Sequence, residues 1–312
     1  MDSATYWSAA YFDTDAIRSE WQAHPMSLAR LFRLQGGDCR EDWFFKKYLR
    51  SQPVERAASI GAGRAETEVQ MILKGHVRHF DLYDISPDGM NSAKATLEQQ
   101  GLADRVNCYV VAPGVPVLPR SQYDLVMFVA SLHHMPELPN TLVSAVDGLR
   151  EGGYLWCVNE YVGPDRFNYP ARHVDIAARV HSRLPVEFRK HQLDFIELPT
   201  PEDVAAADPS EAPTSSQILP TMRAMFPKME VKELYGAFAF IIFWGLQHDA
   251  LYDTDEGRLL VRHLLEIDEV LGESKFIPSY FAHVVVKKPK GFSRLSTLVR
   301  FKAKAIFGLT RN

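Results

Sequence analysis

The stretch Ala57-Ala58-Ser59-Ile60-Gly61-Ala62-Gly63-Arg64-Ala65-Glu66 governs the reading of the whole chain. Its small and apolar start predicts a short strand, the paired glycines predict a tight turn, and residues 66–74 predict a helix. Strand, glycine turn and helix in that order let backbone approach a nucleotide-like ligand closely, because glycine carries no Cβ. A lone Gly-x-Gly is weak, so its surroundings decide. Asp84 gives the first support. It falls in a second predicted strand, 80–85, about 20 residues on, where a carboxylate takes the hydroxyls of a ribose.

The alternation continues outward. Helices are expected over 86–100 and 141–150, and strands over 106–111, 123–129 and 154–159. Gly152-Gly153 stops the second helix, since glycine tolerates the left-handed C-terminal conformation. The rhythm then lapses until 231, through a stretch rich in Pro, Asp and His with one helix near 172–184. Two more strands, 231–235 and 282–286, flank a helical region over 238–271 that breaks near 253–255. The expected fold is α/β: a Rossmann-like, seven-stranded, mostly parallel sheet with its last strand antiparallel, sandwiched by helices and topped by a helical cap.

Residues 1–55 are expected to form that N-terminal cap or lid, with Trp7, Tyr11, Trp21, Leu28, Leu31, Phe32, Trp43 and Phe44 at loose helical spacing. His24-Pro25 interrupts it, as the residue before proline avoids helix. Residues 56–290 form the main domain and 291–312 a basic amphipathic tail. From 287 to the end the chain has eight Lys or Arg and no acid, with Phe292, Leu295, Val299, Ile306 and Leu309 near one helical face. Such a tail suits weak contact with an anionic membrane surface, a protein partner, or solvent alone.

Several classes are disfavoured. A net charge of −4 lacks the basic balance of a nucleic-acid binder. The start, Met1 to Tyr6, has neither the basic nor the apolar part of a signal peptide. The longest apolar run, 234–246, falls short of the ~20 residues a membrane helix needs and reads as a buried helix. Cys39, Cys108 and Cys157 show no zinc or disulfide spacing, which fits a reducing cytoplasm, with any membrane contact peripheral and on the inner face.

Glu66 bears on the ligand. A dinucleotide site has a small residue at this position and seats pyrophosphate on the helix N-terminus, where a carboxylate repels it. A cationic sulfonium and ammonium are tolerated there. An NAD-dependent oxidoreductase is therefore the weaker alternative.

The run from Ala57 to Pro164 resembles the class I S-adenosylmethionine (SAM)-dependent methyltransferase core. More narrowly, nearly the whole chain outside the tail looks like a bacterial group of stand-alone small-molecule or saccharide methyltransferases. The marks are His24-Pro25, Ser59-Ile-Gly-Ala-Gly, Tyr83-Asp-Ile-Ser-Pro, Ser131-Leu-His-His-Met, Asn159-Glu-Tyr-Val-Gly-Pro-Asp-Arg-Phe, Asp208-Pro-Ser-Glu-Ala and Ser216-Gln-Ile-Leu-Pro. The resemblance implies that Ser59, Gly61, Ala62, Gly63 and Glu66 border the methionine and ribose of SAM, leaving S-adenosylhomocysteine (SAH) as product. It also implies that Asp84 holds the ribose diol, that Ile85 packs on adenine, and that Val129 and Ala130 edge the same site. Two departures stand out: Ser59 replaces the usual acid of the first motif, and Ala112 stands where an acid often accepts from the adenine amino group.

On the acceptor side, His133 and His134 follow the fourth strand, beside the carboxyl ends where ligands bind in open α/β sheets. A histidine near its working pKa can take a proton from an attacking hydroxyl, typically for about 10²–10⁴-fold in rate. His134 is preferred as base by likeness to the family, with Glu160 orienting it, and Tyr161 and Arg166 lining an acceptor site completed by an insertion over 161–230. The only side-chain oxygens just past the fourth strand are Ser131 and Glu137, so no metal is expected. The expected activity is O-methylation of a small polar acceptor such as a sugar or saccharide terminus. A non-catalytic SAM-binding scaffold is the alternative, made plausible by Ala112.

Overall fold

A computed structural model describes residues 2–10 and 21–308. Tyr11 and Leu309 lie outside the described residues, as does the side chain of Ile306. Seven strands form one sheet: β1 (Val54–Ile60), β2 (Val77–Asp84), β3 (Val106–Val110), β4 (Tyr123–Val129), β5 (Leu149–Tyr161), β6 (Glu230–Tyr235) and β7 (Phe281–Lys287), in the spatial order β3-β2-β1-β4-β5-β7-β6. The first five are parallel, and β7 runs antiparallel between β5 and β6.

Register follows from side-chain alternation, because successive residues of a strand face opposite sides. In β4, Leu125 and Met127 join one core with Phe80, Leu82, Met71, Ile72 and Trp156, whereas Val126 and Phe128 join another with Leu142, Val146, Val284 and Val286. The first face is covered by α3 (Arg40–Leu49), α4 (Glu66–Leu73) and α5 (Pro87–Gln99), following α1 (Ser3–Ala10) and α2 (Pro25–Leu34) in the chain. Phe44 in α3 stacks on Trp156 at 4.2 Å and 8°, so this part of the expected cap packs against the sheet face itself. The second face is covered by α6 (Leu138–Gly148) and by helices reached later in the chain.

A third core gathers Trp21, Leu31, Phe238, Ile241, Ile242, Leu264 and Phe281, beside the carboxyl end of β5. Its helices include α2, α7 (Ala171–His181), α10 (Ala237–Phe243) and α12 (Asp255–Glu273), with α8 (Pro201–Ala207), α9 (Ile218–Met225) and α11 (His248–Asp253) between them. His24-Pro25 starts α2, with proline at the first turn, where its missing N–H costs nothing. The apolar run 234–246 is buried as the end of β6 and the short helix α10. Asp268 of α12 accepts from the amides of Gly236, Phe238 and Ala239 at 2.7–3.1 Å and pairs with buried Arg30 at 2.7 Å, which locks α10 to α2.

The basic tail forms α13 (Arg294–Gly308). Phe292, Leu298 and Phe301 pack against the core under α6 and α9, while Leu295 and Val299 stay exposed. The inward face is therefore rotated from the expected one: Leu295 and Val299 point to solvent because Leu298 and Phe301 turn to the domain. Among the described residues no helix is long and apolar enough to cross a membrane.

Candidate active site

Strand order reverses between β1 and β4, and the crevice opens where their carboxyl ends part. Left-handed backbone gathers there: Gly61 at φ +68° and Ala130 at φ +47° directly follow β1 and β4, and Asn159 at φ +49° kinks β5 two residues before its end. For the two non-glycine residues this conformation costs free energy, and such strain gathers at functional sites. Gly61 is obligatory for a second reason. A Cβ there would lie 2.6 Å from Ser131 Cβ, whose hydroxyl donates to the Ile60 carbonyl at 2.6 Å.

Asp84 sits across the corner. Its carboxylate accepts from the Gly63 amide at 2.8 Å and from Ser86 N at 2.7 Å, so it both shapes the glycine turn and faces the cavity. A carboxylate oxygen can accept more than one hydrogen bond, which suits a ribose diol. Ile85, Val111, Ala112 and Pro113 line the adjoining wall.

Ser59 does not reach the cavity. It is fully buried, and its hydroxyl donates to Glu68 at 2.5 Å. Glu68 does line the cavity, and burial holds its carboxyl above the usual carboxylate range. Sequence reading missed this acid, because it lies on the helix rather than in the glycine motif. Glu66 lies at the cavity rim, 72% exposed and paired with Arg64 at 2.7 Å. Solvent and Arg64 screen its charge, which weakens the case it makes against a diphosphate.

The acceptor side is built by a tight turn, Leu132–His134, that brings both imidazoles to one place with ring centroids 4.1 Å apart. Glu160 is fully buried and does not line the cavity. It accepts from Leu132 N at 3.1 Å, from His133 N at 2.8 Å and from His133 Nδ1 at 2.6 Å. It therefore orients His133, not His134, because both turn amides and one ring converge on its two oxygens. Burial pulls the His133 pKa down, but the charge and hydrogen bond of Glu160 outweigh it and the net shift is upward. Burial, with the neighbouring charge of His133, puts His134 well below the ordinary histidine value. The Nδ1 of His134 faces the Ser210 carbonyl at 3.2 Å, and Trp7 meets its ring edge-on at 5.0 Å.

Arg166 is spent on the loop after α8. Its guanidinium donates to the carbonyls of Asp208 (3.1 Å), Glu211 (2.7 Å) and Pro209 (2.5 Å) and lines no part of the cavity. The expected substrate contact is thus a loop anchor, because backbone carbonyls take the donors an anionic acceptor would need. What the loop delivers is Glu211, whose carboxylate lies 3.6 Å from His133 Nε2 and 3.9 Å from His134 Nε2. The expectation that only Ser131 and Glu137 offer oxygens here overlooked this distant segment. Tyr161 lines the cavity, its hydroxyl donating to the Pro164 carbonyl at 2.9 Å.

The cavity holds about 1450 Å³ and runs from the glycine corner, past Val129 and Ala130, to a lobe walled by Trp21, Phe167, Phe240, Phe243, Trp244 and Phe281. Sites for one drug-sized ligand take roughly 300–1,000 Å³, so this space admits two ligands side by side. The glycine turn, Asp84 and buried Glu68 suit a ligand that joins a ribose to a cationic tail without phosphate. Residues 59–157 match the family model described as a methyltransferase domain.

Over that stretch the chain is similar to a methyltransferase domain.

No curated protein matches the sequence. Among solved structures, the chain is similar to Haemonchus contortus phosphoethanolamine N-methyltransferase 2 in complex with SAM, at 13% identity over 86% of this chain and 58% of that one, TM-score 0.46. It is also similar to geranyl diphosphate methyltransferase in complex with SAM, at 12% identity over 92% and 94%, TM-score 0.47. A third is a chain from the complex of the Haloferax volcanii Trm112 methyltransferase activator with a methyltransferase, at 16% identity over 41% and 58%, TM-score 0.31. The chain spans 58% of the length of the Haemonchus and Haloferax proteins it matches. The matched segment holds both the glycine corner and the two histidines, whereas Glu160, Asp208 and Glu211 come from beyond it.

Proposed function

We propose that this protein transfers the methyl group of SAM to a hydroxyl oxygen of a small polar acceptor, with a sugar or saccharide terminus as the leading class. The observation that carries the reading is the Glu160–His133 pair, set between the glycine corner and the aromatic lobe. SAM, when bound, supplies an electrophilic methyl carbon. Asp84 would hold its ribose, Glu68 would face its ammonium, and Ile85 with Val111 would pack beside adenine.

His133 is the proposed base in place of His134. Its Nδ1–H is committed to Glu160, which leaves the Nε2 lone pair for the acceptor proton. Nε2 of His133 would take the acceptor's hydroxyl proton, and Glu160 would steady the imidazolium that forms. His134, held neutral, is the weaker base. The lobe favours a hydroxylated acceptor. Among the described residues, buried Trp21 Nε1 and Gln22 Nε2 have no hydrogen-bond partner, although both residues line the cavity, so they offer donors to acceptor oxygens between aromatic walls.

The test is tritiated-methyl transfer from SAM to a panel of sugars, oligosaccharides, simple alcohols and amines. The reading expects an oxygen-methylated sugar and a drop of about 10²–10⁴-fold in His133→Ala. Methylation at nitrogen, or an unchanged rate in that variant with a smaller one in His134→Ala, would reject it. SAM binding with no transfer to any acceptor class would favour the scaffold alternative.

A further inference from the structure

We propose that His133, His134 and Glu211 form a three-ligand site for a divalent transition-metal ion, open toward the acceptor lobe. One donor atom from each residue lies within 4.8 Å of the other two. Adjacent histidines chelate poorly on a strand or regular helix, but the turn Leu132–His134 folds the two rings together at an interplanar angle of 41°.

Three features separate this cluster from ordinary ion pairing. First, the two Nε2 atoms each face a different oxygen of Glu211, at 3.6 and 3.9 Å. Both separations are too long for a hydrogen bond. They sit just above the ~3.3 Å between neighbouring ligands in a tetrahedral zinc shell with bonds near 2.0–2.1 Å.

Second, the outer partners are those of a metal site. Metal-bound histidines nearly always hold their other ring nitrogen against a carboxylate or carbonyl, which fixes the tautomer and turns the remaining lone pair inward. His133 Nδ1 is held by Glu160 at 2.6 Å and His134 Nδ1 by the Ser210 carbonyl at 3.2 Å. Third, the segment carrying Glu211 is fixed by Arg166, which engages three carbonyls between Asp208 and Glu211. A carboxylate delivered this firmly to two inward-facing imidazoles is a preorganised ligand.

The donor set selects the ion. Two imidazoles and one carboxylate suit zinc, cobalt or ferrous iron, whereas magnesium and calcium want oxygen shells. All three residues line the cavity, so remaining coordination positions face the lobe. The inference rests on the proposed function only for its consequence: a bound ion would take the Nε2 lone pair of His133 and lie beside the acceptor hydroxyl, so His133 accepts the proton only in the metal-free protein.

The experiment uses the full chain, stripped with chelator, titrated with cobalt(II) chloride in a calorimeter and followed by visible absorption. Neither SAM nor acceptor is present, so its failure leaves the methyl-transfer assay untouched. The expected result is one equivalent of cobalt bound at micromolar or tighter Kd, displaced by zinc and not by excess magnesium. Glu211→Gln and His134→Ala weaken it at least tenfold with melting temperatures near the parent, and Glu137→Gln does not weaken it. Absence of saturable binding, or an affinity in Glu211→Gln and His134→Ala equal to the parent's, overturns the site.

Discussion

Glu160→Gln isolates the proposed proton acceptor without changing side-chain volume. In the native site the Glu160 carboxylate receives three hydrogen bonds, one of them from His133 Nδ1 at 2.6 Å. Glutamine keeps one accepting oxygen and sets its amide donors against Leu132 N or His133. The imidazolium then loses a charge-assisted bond worth about 1.5–3 kcal/mol. At about 1.4 kcal/mol per pKa unit, the His133 titration midpoint should fall by about 1–2 units. The sign agrees with linkage. Because folding raises this histidine, its stabilisation is present at low pH and fades as pH rises through its folded value. The variant should therefore lose more stability in acid than in base. Nitrogen-15 NMR of chelator-treated protein, with His133→Gln for assignment, reads the midpoint directly. An unmoved midpoint in Glu160→Gln would refute the coupling.

Other outcomes follow from the same structure. Gly61→Ala places a Cβ 2.6 Å from Ser131 Cβ at a left-handed φ, so SAH affinity by calorimetry should fall at least tenfold. Arg166→Ala removes three carbonyl partners of one loop, and hydrogen exchange at 208–211 should accelerate while exchange in β1 and β4 stays unchanged. Burial pushes His283 down to about 3 from 6.5, so it folds neutral. The unfolding free energy should fall by a few kcal/mol between about pH 6.5 and 3, and less in His283→Gln. Phe301→Ala should cost about 1–2 kcal/mol in urea melts, since the ring packs only partly on the core under α6 and α9.

The sheet was legible because each strand carries its own signal. The runs at 80–85 and 123–129 and the glycine turn at 61–63 locate strands and their turns, whereas Gly152-Gly153, expected to stop a helix, lies inside β5 because the helix before it already ends at Gly148. Less legible was which layer each N-terminal helix joins. Both α2 and α3 show helical periodicity, yet only the stacking of Phe44 on Trp156 reveals that α3 covers the sheet. Periodicity gives a buried face and not its partner. The site divided along the same line. Gly61, Gly63 and Asp84 are read from one strand–turn–helix and its neighbour, whereas His134 and Ser210 meet across 76 positions of chain. No local spacing announces such a contact. Arg166 and Glu68 were misjudged for a related reason: a residue type shows what a side chain can bond, and only packing shows whether backbone or ligand takes the bond.

The most direct test of the ligand assignment is a pair of calorimetric titrations of the full chain, one with SAH and one with NADH. Saturable SAH binding that weakens in Asp84→Ala, with no heat from NADH, is the outcome the glycine corner requires. NADH binding lost in Asp84→Ala, with no response to SAH, would contradict it.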